Sequence, residues 1–344
     1  MGVLQKQDEG QQAKGTAKEH NNRGVRLQLQ GRFDEAEAEY QAALRTDPQN
    51  ATAWNNLGFL VAQKGRFEEA IGHYRRALDI DSEKTMALIN LGNALAATGD
   101  TAGGMEALNR ATRLEPGNAQ AWDNLGRLEM AMGNMSGAER CFRAAVEAGP
   151  TAERYTALGT AVALQERLRE AVWLFEQALA LDGSHVKAWS QLGSVRFLRQ
   201  DLGSASDALE RALELDPKDV SAWHHLALVH LAAGRREEAG RLLEHILELD
   251  TAYTPARIDW AVLALSFGHF QEALSSLNAV IESLSENPRA RFYRAVALDQ
   301  LGRSEEATAE LDWLAGASQG KYATRARHYL MERETPSHAV PGKH

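Results

Sequence analysis

Few side chains in this sequence are placed to make or break a bond. Cys141 is its one cysteine, which excludes an internal disulfide and a cysteine-rich metal site. No basic loop or helix start is arranged to lower its pKa, so it reads as a half-buried helical thiol. His224, His225, His230 and His245 crowd into one stretch, and imidazoles are common zinc ligands. At 3.6 residues per turn the first three diverge around one helix axis and His245 falls on the next helix, so no metal is expected. Phosphate loop, dinucleotide glycine pattern, paired zinc histidines and nucleophile elbow are all missing, and no cofactor is implied. What does recur is asparagine: Asn22, Asn56, Asn90 and Asn124 stand 34 residues apart. Each amide carries two donors and an acceptor, so a row of them can hold the backbone of an extended peptide whatever its sequence. The competing explanation is that Asn is a neutral residue suited to a polar wall.

The same interval organises the whole chain. Gly31, Gly65, Gly99 and Gly133 repeat every 34 residues, and Gly234, Gly268 and Gly302 resume the series. A fixed period of this length signals a solenoid. Numbered from Ala51, positions 4, 7, 8 and 11 share one helical stripe, and positions 20, 24 and 27 share a stripe on a second helix. Each repeat is therefore a helical hairpin. Small residues at 8, 20 and 27 allow close backbone approach, and large ones at 4, 7, 11 and 24 fill the volume left. A lone hairpin cannot bury both faces, but stacked copies can. Acidic pairs such as Glu68 and Glu69, or Glu305 and Glu306, fall in the first turn of the second helix, where free N–H groups favour negative charge.

Trp54, Leu57, Gly58, Gly65, Ala70, Tyr74 and Ala77 make a pattern that resembles the tetratricopeptide repeat. It returns as Trp122, Leu125, Gly126, Gly133, Ala138, Phe142 and Ala145, and again from Trp189 to Pro217. The resemblance implies an all-α fold, a right-handed α-solenoid superhelix of nine helix-turn-helix units. The expected organisation is a disordered lead-in over 1–16, tandem repeats over 17–320, a capping helix over 321–335 and a tail over 336–344. Thr16 and Glu19 read as a capping box opening the first helix. Between repeats 4 and 5 the spacing slips to 33 residues, from Gly126 to Gly159, and Glu166 and Gln200 then stand where turn glycines should be. With no linker composition there, this predicts a change of pitch and not a domain boundary.

The resemblance also implies that the first helices line an inner groove, at positions 2, 5, 6, 9, 12 and 13. Asn22, Asn56, Asn90, Asn93, Asn124 and Arg127 are then a polar, peptide-binding stretch, similar to the Asn ladder of the O-GlcNAc transferase family. Farther along, Phe197, Leu228, Leu231, Ile258, Val262, Leu265, Phe292 and Val296 form an apolar stretch suited to an amphipathic helix or a second copy of the chain, unless packing hides them. Of the chaperone carboxylate clamp only fragments occur: Asn93 and Asn124 are followed by Glu153 and Ala157, and Ile89 replaces the first lysine.

Composition limits the function classes. Lys and Arg number 38 against 47 Asp and Glu, a formal charge of −9, so nucleic acid is not the expected partner. No window reaches the ~18 apolar residues of a membrane span, and the start lacks a secretory apolar core, so a cytoplasmic location is expected. Too little sequence lies outside the repeats for a catalytic domain. The expected function is a non-catalytic scaffold or adaptor binding protein or peptide partners, with self-association open. The alternative is a regulatory or substrate-docking subunit of a separately encoded enzyme, such as a glycosyltransferase.

Overall fold

Several helix starts are set by asparagine caps. Asn50, Asn118 and Asn287 each precede an apolar run, and their side chains accept the N–H three residues on, from Ala53 at 3.0 Å, Ala121 at 3.2 Å and Ala290 at 3.0 Å. Helix ends are set by the glycines: Gly65 takes φ +76° after the first helix of its repeat, a left-handed turn that costs glycine nothing. Where the glycine is missing the turn is the same, and Glu166 and Gln200 both adopt φ +63°.

The computed structural model describes residues 2–316 and 319–334. Its first hairpins are α1 (Gly2–Leu29) with α2 (Phe33–Thr46), α3 (Ala51–Gln63) with α4 (Phe67–Ile80), and α5 (Thr85–Ala97) with α6 (Thr101–Leu114). Next come α7 (Ala119–Ala131) with α8 (Met135–Ala148) and α9 (Ala152–Ala163) with α10 (Leu168–Leu181). After α11 (Val186–Leu198) and α12 (Leu202–Leu215), α13 (Val220–Ala232) pairs with α14 (Arg236–Leu249), and α15 (Thr254–Ser266) with α16 (Phe270–Ser283). The last hairpin is α17 (Pro288–Gln300) with α18 (Ser304–Gly316), and α19 (Lys321–Glu334) packs on both of its helices. Among the described residues all regular structure is helical, and the stacked hairpins make an α-solenoid. The chain divides into two compact units, Met1–Ala188 and Trp189–His344. That division falls inside α11, past the 33-residue slip.

Two expectations at the ends are corrected. Helix α1 begins at Gly2, so the stretch expected to be a disordered lead-in is helical and Thr16 and Glu19 lie inside it, not at a cap. This stretch has no proline, and its Gln and Lys are good helix formers, although Gly2, Gly10 and Gly15 interrupt them. Residues 335–344, with the expected tail, lie outside the described residues.

Within a hairpin the close approach is at positions 8 and 24. A Cβ on Gly58 would stand 2.7 Å from Tyr74 Cε1, so the aromatic lies directly on the glycine. The last three repeats solve the same contact differently, with Ala227, Ala261 and Ala295 facing the smaller Leu243, Leu277 and Leu311, all fully buried. In repeat 3, whose Gly103 and Gly104 weaken α6 by propensity, a Cβ on Gly104 would lie 2.8 Å from the Gly92 carbonyl oxygen. Helix propensity is given up there for backbone contact.

A second rule ties each repeat to the loop before it. The indole N–H at position 4 donates to the carbonyl six residues earlier: Trp54 to Pro48 at 3.0 Å, Trp122 to Pro116 at 2.8 Å, Trp223 to Pro217 at 2.9 Å. Arg257 and Arg291 do the same to Thr251 and Ser285. Repeat 3 has Leu88 at this position, and Arg110 of α6 reaches Ser82 instead; after the 33-residue slip, Arg154 reaches Gly149 at 2.7 Å. A loop carbonyl without such a donor would cost about 1–3 kcal/mol where it is shielded from water.

Candidate functional site

In Met1–Ala188 successive first helices touch, α1 with α3, α3 with α5 and α5 with α7, and these helices carry the asparagines. The side chains obey a register between repeats. Position 5 of one repeat meets position 6 of the next: Asn56 Nδ2 donates to Asn21 Oδ1 at 3.0 Å, and Asn90 Nδ2 to Asn55 Oδ1 at 3.0 Å. Asn55 Nδ2 in turn reaches Asn56 Oδ1 at 3.4 Å. Asn21 and Asn55 are buried, while Asn56 and Asn90 are half-buried. The ladder is thus partly consumed inside the molecule, which corrects the picture of amides wholly turned to a ligand.

The two ends of the ladder behave differently, for one reason. Asn22 belongs to the first repeat, has no position-5 neighbour before it, and is exposed. Asn124 has such a neighbour, but it is the buried Ile89, and Asn124 Nδ2 is buried without a hydrogen-bond partner among the described residues. Asn124 is therefore not the open ladder rung expected. Asn93 is exposed; Arg127, 52% exposed, donates to Glu153 of the next repeat at 3.0 Å. Beside the start of the ladder lies a cleft of about 570 Å³, lined by Lys14, Lys18, Asn21, Asn22 and Lys84 with Asp47 and Asp81.

In Trp189–His344 the expected apolar stretch is partly packed away. Ile258 is 3% exposed, in a cluster with Ala261, Leu277 and Ala290, and Phe292 is 8% exposed. The cause at Phe292 is α19, whose Tyr322 and Tyr329 lay their rings 5.8 and 6.2 Å from it. Phe197, Leu228, Leu231, Val262, Leu265 and Val296 are half-buried; Leu231, Val262, Leu265 and Val296 also pack against core clusters. Both Ile258 and Phe292 are corrected from groove to core.

The histidines split among separate partners. His224 Nε2 meets Asp259 Oδ2 at 2.7 Å, again position 5 to position 6 of the next repeat, and Arg289 closes on the other oxygen. Burial pushes the Asp259 carboxyl up, but the hydrogen bond from His224 and the charge of Arg289 outweigh it and hold it below the usual carboxylate range. His225 bonds Ser194 and the Ser221 carbonyl, His230 bonds Arg235, and His245 stacks edge-on to Trp223. Among the described residues no three His, Cys, Asp or Glu side chains gather as metal ligands, and no helix is long and apolar enough to cross a membrane. Sequence reasoning missed this inter-repeat register. Its signal was a polar position 5 with a polar position 6 standing 35 residues later.

Models of the tetratricopeptide repeat match residues 22–84, 61–123, 95–162, 163–228, 196–257 and 258–321. Among solved structures, the Cut9–Hcn1 hetero-tetramer of the APC/C is 18% identical with a TM-score of 0.60, covering 77% of this chain and 52%, about half, of that one. A tetratricopeptide repeat protein from Parabacteroides merdae is 16% identical, covering 72% and 99%, with a TM-score of 0.56. PilF of Pseudomonas aeruginosa is 18% identical, covering 61% and 96%, with a TM-score of 0.55. At such identities the likeness is one of fold. None of the curated proteins matches as a relative. With repeat models running unbroken from residue 22 to 321 over stacked hairpins of the matching period, the chain belongs to the tetratricopeptide repeat family.

Proposed function

We propose that the chain is a non-catalytic adaptor that holds an extended peptide along the first-helix face of α1, α3, α5 and α7. Tetratricopeptide repeat proteins in general mediate contacts between proteins, and the finer reading rests on the amides. The observation that carries it is the pairing pattern of the ladder. Asn56 and Asn90 each spend one N–H on the preceding repeat and keep a second, while Asn22 and Asn93 are exposed. Those donors and oxygens match the alternating C=O and N–H of a strand-like backbone. Each such bond contributes about 0.5–1.5 kcal/mol net, so several must act together. The internal pairs hold the amides in place beforehand, which lowers the ordering cost of binding.

The test is selection from a displayed library of unstructured peptides. Wild-type protein should enrich binders, and the triple variant Asn22→Ala, Asn93→Ala, Arg127→Ala should lose them while keeping its helicity and melting temperature. Equal enrichment by the folded triple variant would remove the proposal.

A further inference from the structure

A cleft in Trp189–His344 takes the same place in its repeats as one of about 350 Å³ beside Trp54, but its lining differs. It lies among α14, α15 and α16, has a volume of about 630 Å³, and adjoins a second of about 340 Å³ that shares Glu244, Trp260 and Glu272. Two departures from the repeat pattern mark its lining. Trp260 stands at position 7, where repeats 2 to 7 carry leucines such as Leu57, Leu125 and Leu226. Gly240, packed against Leu263 in the adjoining cleft, stands where repeat 2 has Ile71 and repeat 8 has Leu274. Arg257, at the usual tryptophan position, lines the cleft while bonding the Thr251 carbonyl as the indoles of other repeats bond theirs.

The floor is aromatic and apolar, with Trp260 half-buried at its centre and Leu247 and Leu263 beside it. The rim is acidic: Glu237, Glu244, Glu248 and Glu272 are exposed carboxylates lining the two clefts. Trp260 Nε1 donates to Glu244 Oε1 at 3.3 Å, which places a carboxylate at the edge of the ring. Against them stand Arg241, His269 beside Glu272, and the already engaged Arg257. An aromatic face with carboxylates around it favours a cation that is partly stripped of water. Neither a carboxylate-rich nor a neutral apolar segment would complement that rim.

We propose that this cleft docks a basic segment of a partner protein, seating an arginine or lysine side chain over Trp260 with Glu244, Glu248 and Glu272 around it. Its residues are distinct from those of the amide ladder.

The probe is a nine-residue peptide of alternating Gly and Arg, with Gly/Glu and Gly/Ser peptides as controls, titrated into full-length protein labelled at tryptophan indole nitrogen. The Trp260 signal is assigned by its loss in Trp260→Leu, which restores the residue usual at that position. The basic peptide should shift the Trp260 N–H resonance and leave the indoles of Trp54 and Trp122 in place, and about 0.5 M salt should abolish the shift. Glu244→Gln, Glu248→Gln and Glu272→Gln combined should weaken binding about tenfold. An unmoved Trp260 resonance, equal shifts from the Gly/Glu peptide, or undiminished affinity in the triple Gln variant would each overturn the proposal. These outcomes are independent of the library selection, which reads the amide ladder.

Discussion

Replacing Asn56, Asn90 and Asn124 one at a time by Ala separates structure from binding, because the three sit at the same helical position in consecutive repeats. All three gain the same ~0.6 kcal/mol in helix propensity. Asn90→Ala removes a 3.0 Å bond to Asn55 Oδ1, an acceptor on a residue 8% exposed. Losing the bond and leaving that oxygen short of a partner costs about 2 kcal/mol, so the net is a loss of roughly 1–2 kcal/mol. Asn56→Ala does the same to Asn21. Asn124→Ala breaks no bond from Nδ2 and removes a buried donor with no partner, so it should be neutral or stabilise by about 1 kcal/mol. The gap between Asn90→Ala and Asn124→Ala is then about 1–3 kcal/mol. Since stacked repeats melt as a sum of repeat and interface terms, urea midpoints should be read together with amide hydrogen exchange in α3, α5 and α7. Faster exchange is expected for Asn56→Ala and Asn90→Ala, and unchanged or slower exchange for Asn124→Ala. If Asn124→Ala is as damaging as Asn90→Ala, the position-5 to position-6 register does not hold the repeats together as argued.

Glu166→Gly and Gln200→Gly should each stabilise the protein by about 0.5–1 kcal/mol in thermal unfolding, because both residues hold φ +63°, a conformation that costs a residue with a Cβ about 1–2 kcal/mol; a drop in melting temperature would contradict this. Desolvation, aided by Glu129, raises the Cys141 thiol to about 11, so at pH 8 roughly one molecule in a thousand is thiolate. Its reaction with a disulfide reagent should await unfolding in urea, and prompt stoichiometric labelling of native protein would refute that. Asp259, held below its ordinary pKa, contributes stability that is full above the unfolded value of about 4 and is lost as pH falls through the lower folded value. Asp259→Asn should weaken the Trp189–His344 unit by about 1–3 kcal/mol at pH 7 and blunt its acid sensitivity; an unchanged melting curve from pH 7 to pH 3 relative to wild type would refute this.

The repeat, its hairpins and nearly every helix start were legible in the sequence because they rest on local rules. Asn50, Asn118 and Asn287 each cap the helix they precede, Gly65 and its equivalents turn the chain, and Gly58 opposite Tyr74 is one close contact within a hairpin. The helical start of the chain was not legible, because low apolar periodicity and Gly2, Gly10 and Gly15 argue against the helix that runs over Gly2–Leu29.

Exposure of the site residues was decided elsewhere. Whether an asparagine faces a ligand depends on what the preceding repeat puts 35 residues away: nothing for Asn22, an amide for Asn56 and Asn90, and Ile89 for Asn124. Phe292 became core because α19 folds back over it. A helix pattern read along the chain specifies which residues share a stripe. Only packing between stripes that are distant in sequence decides which of them water, or a partner, can still reach.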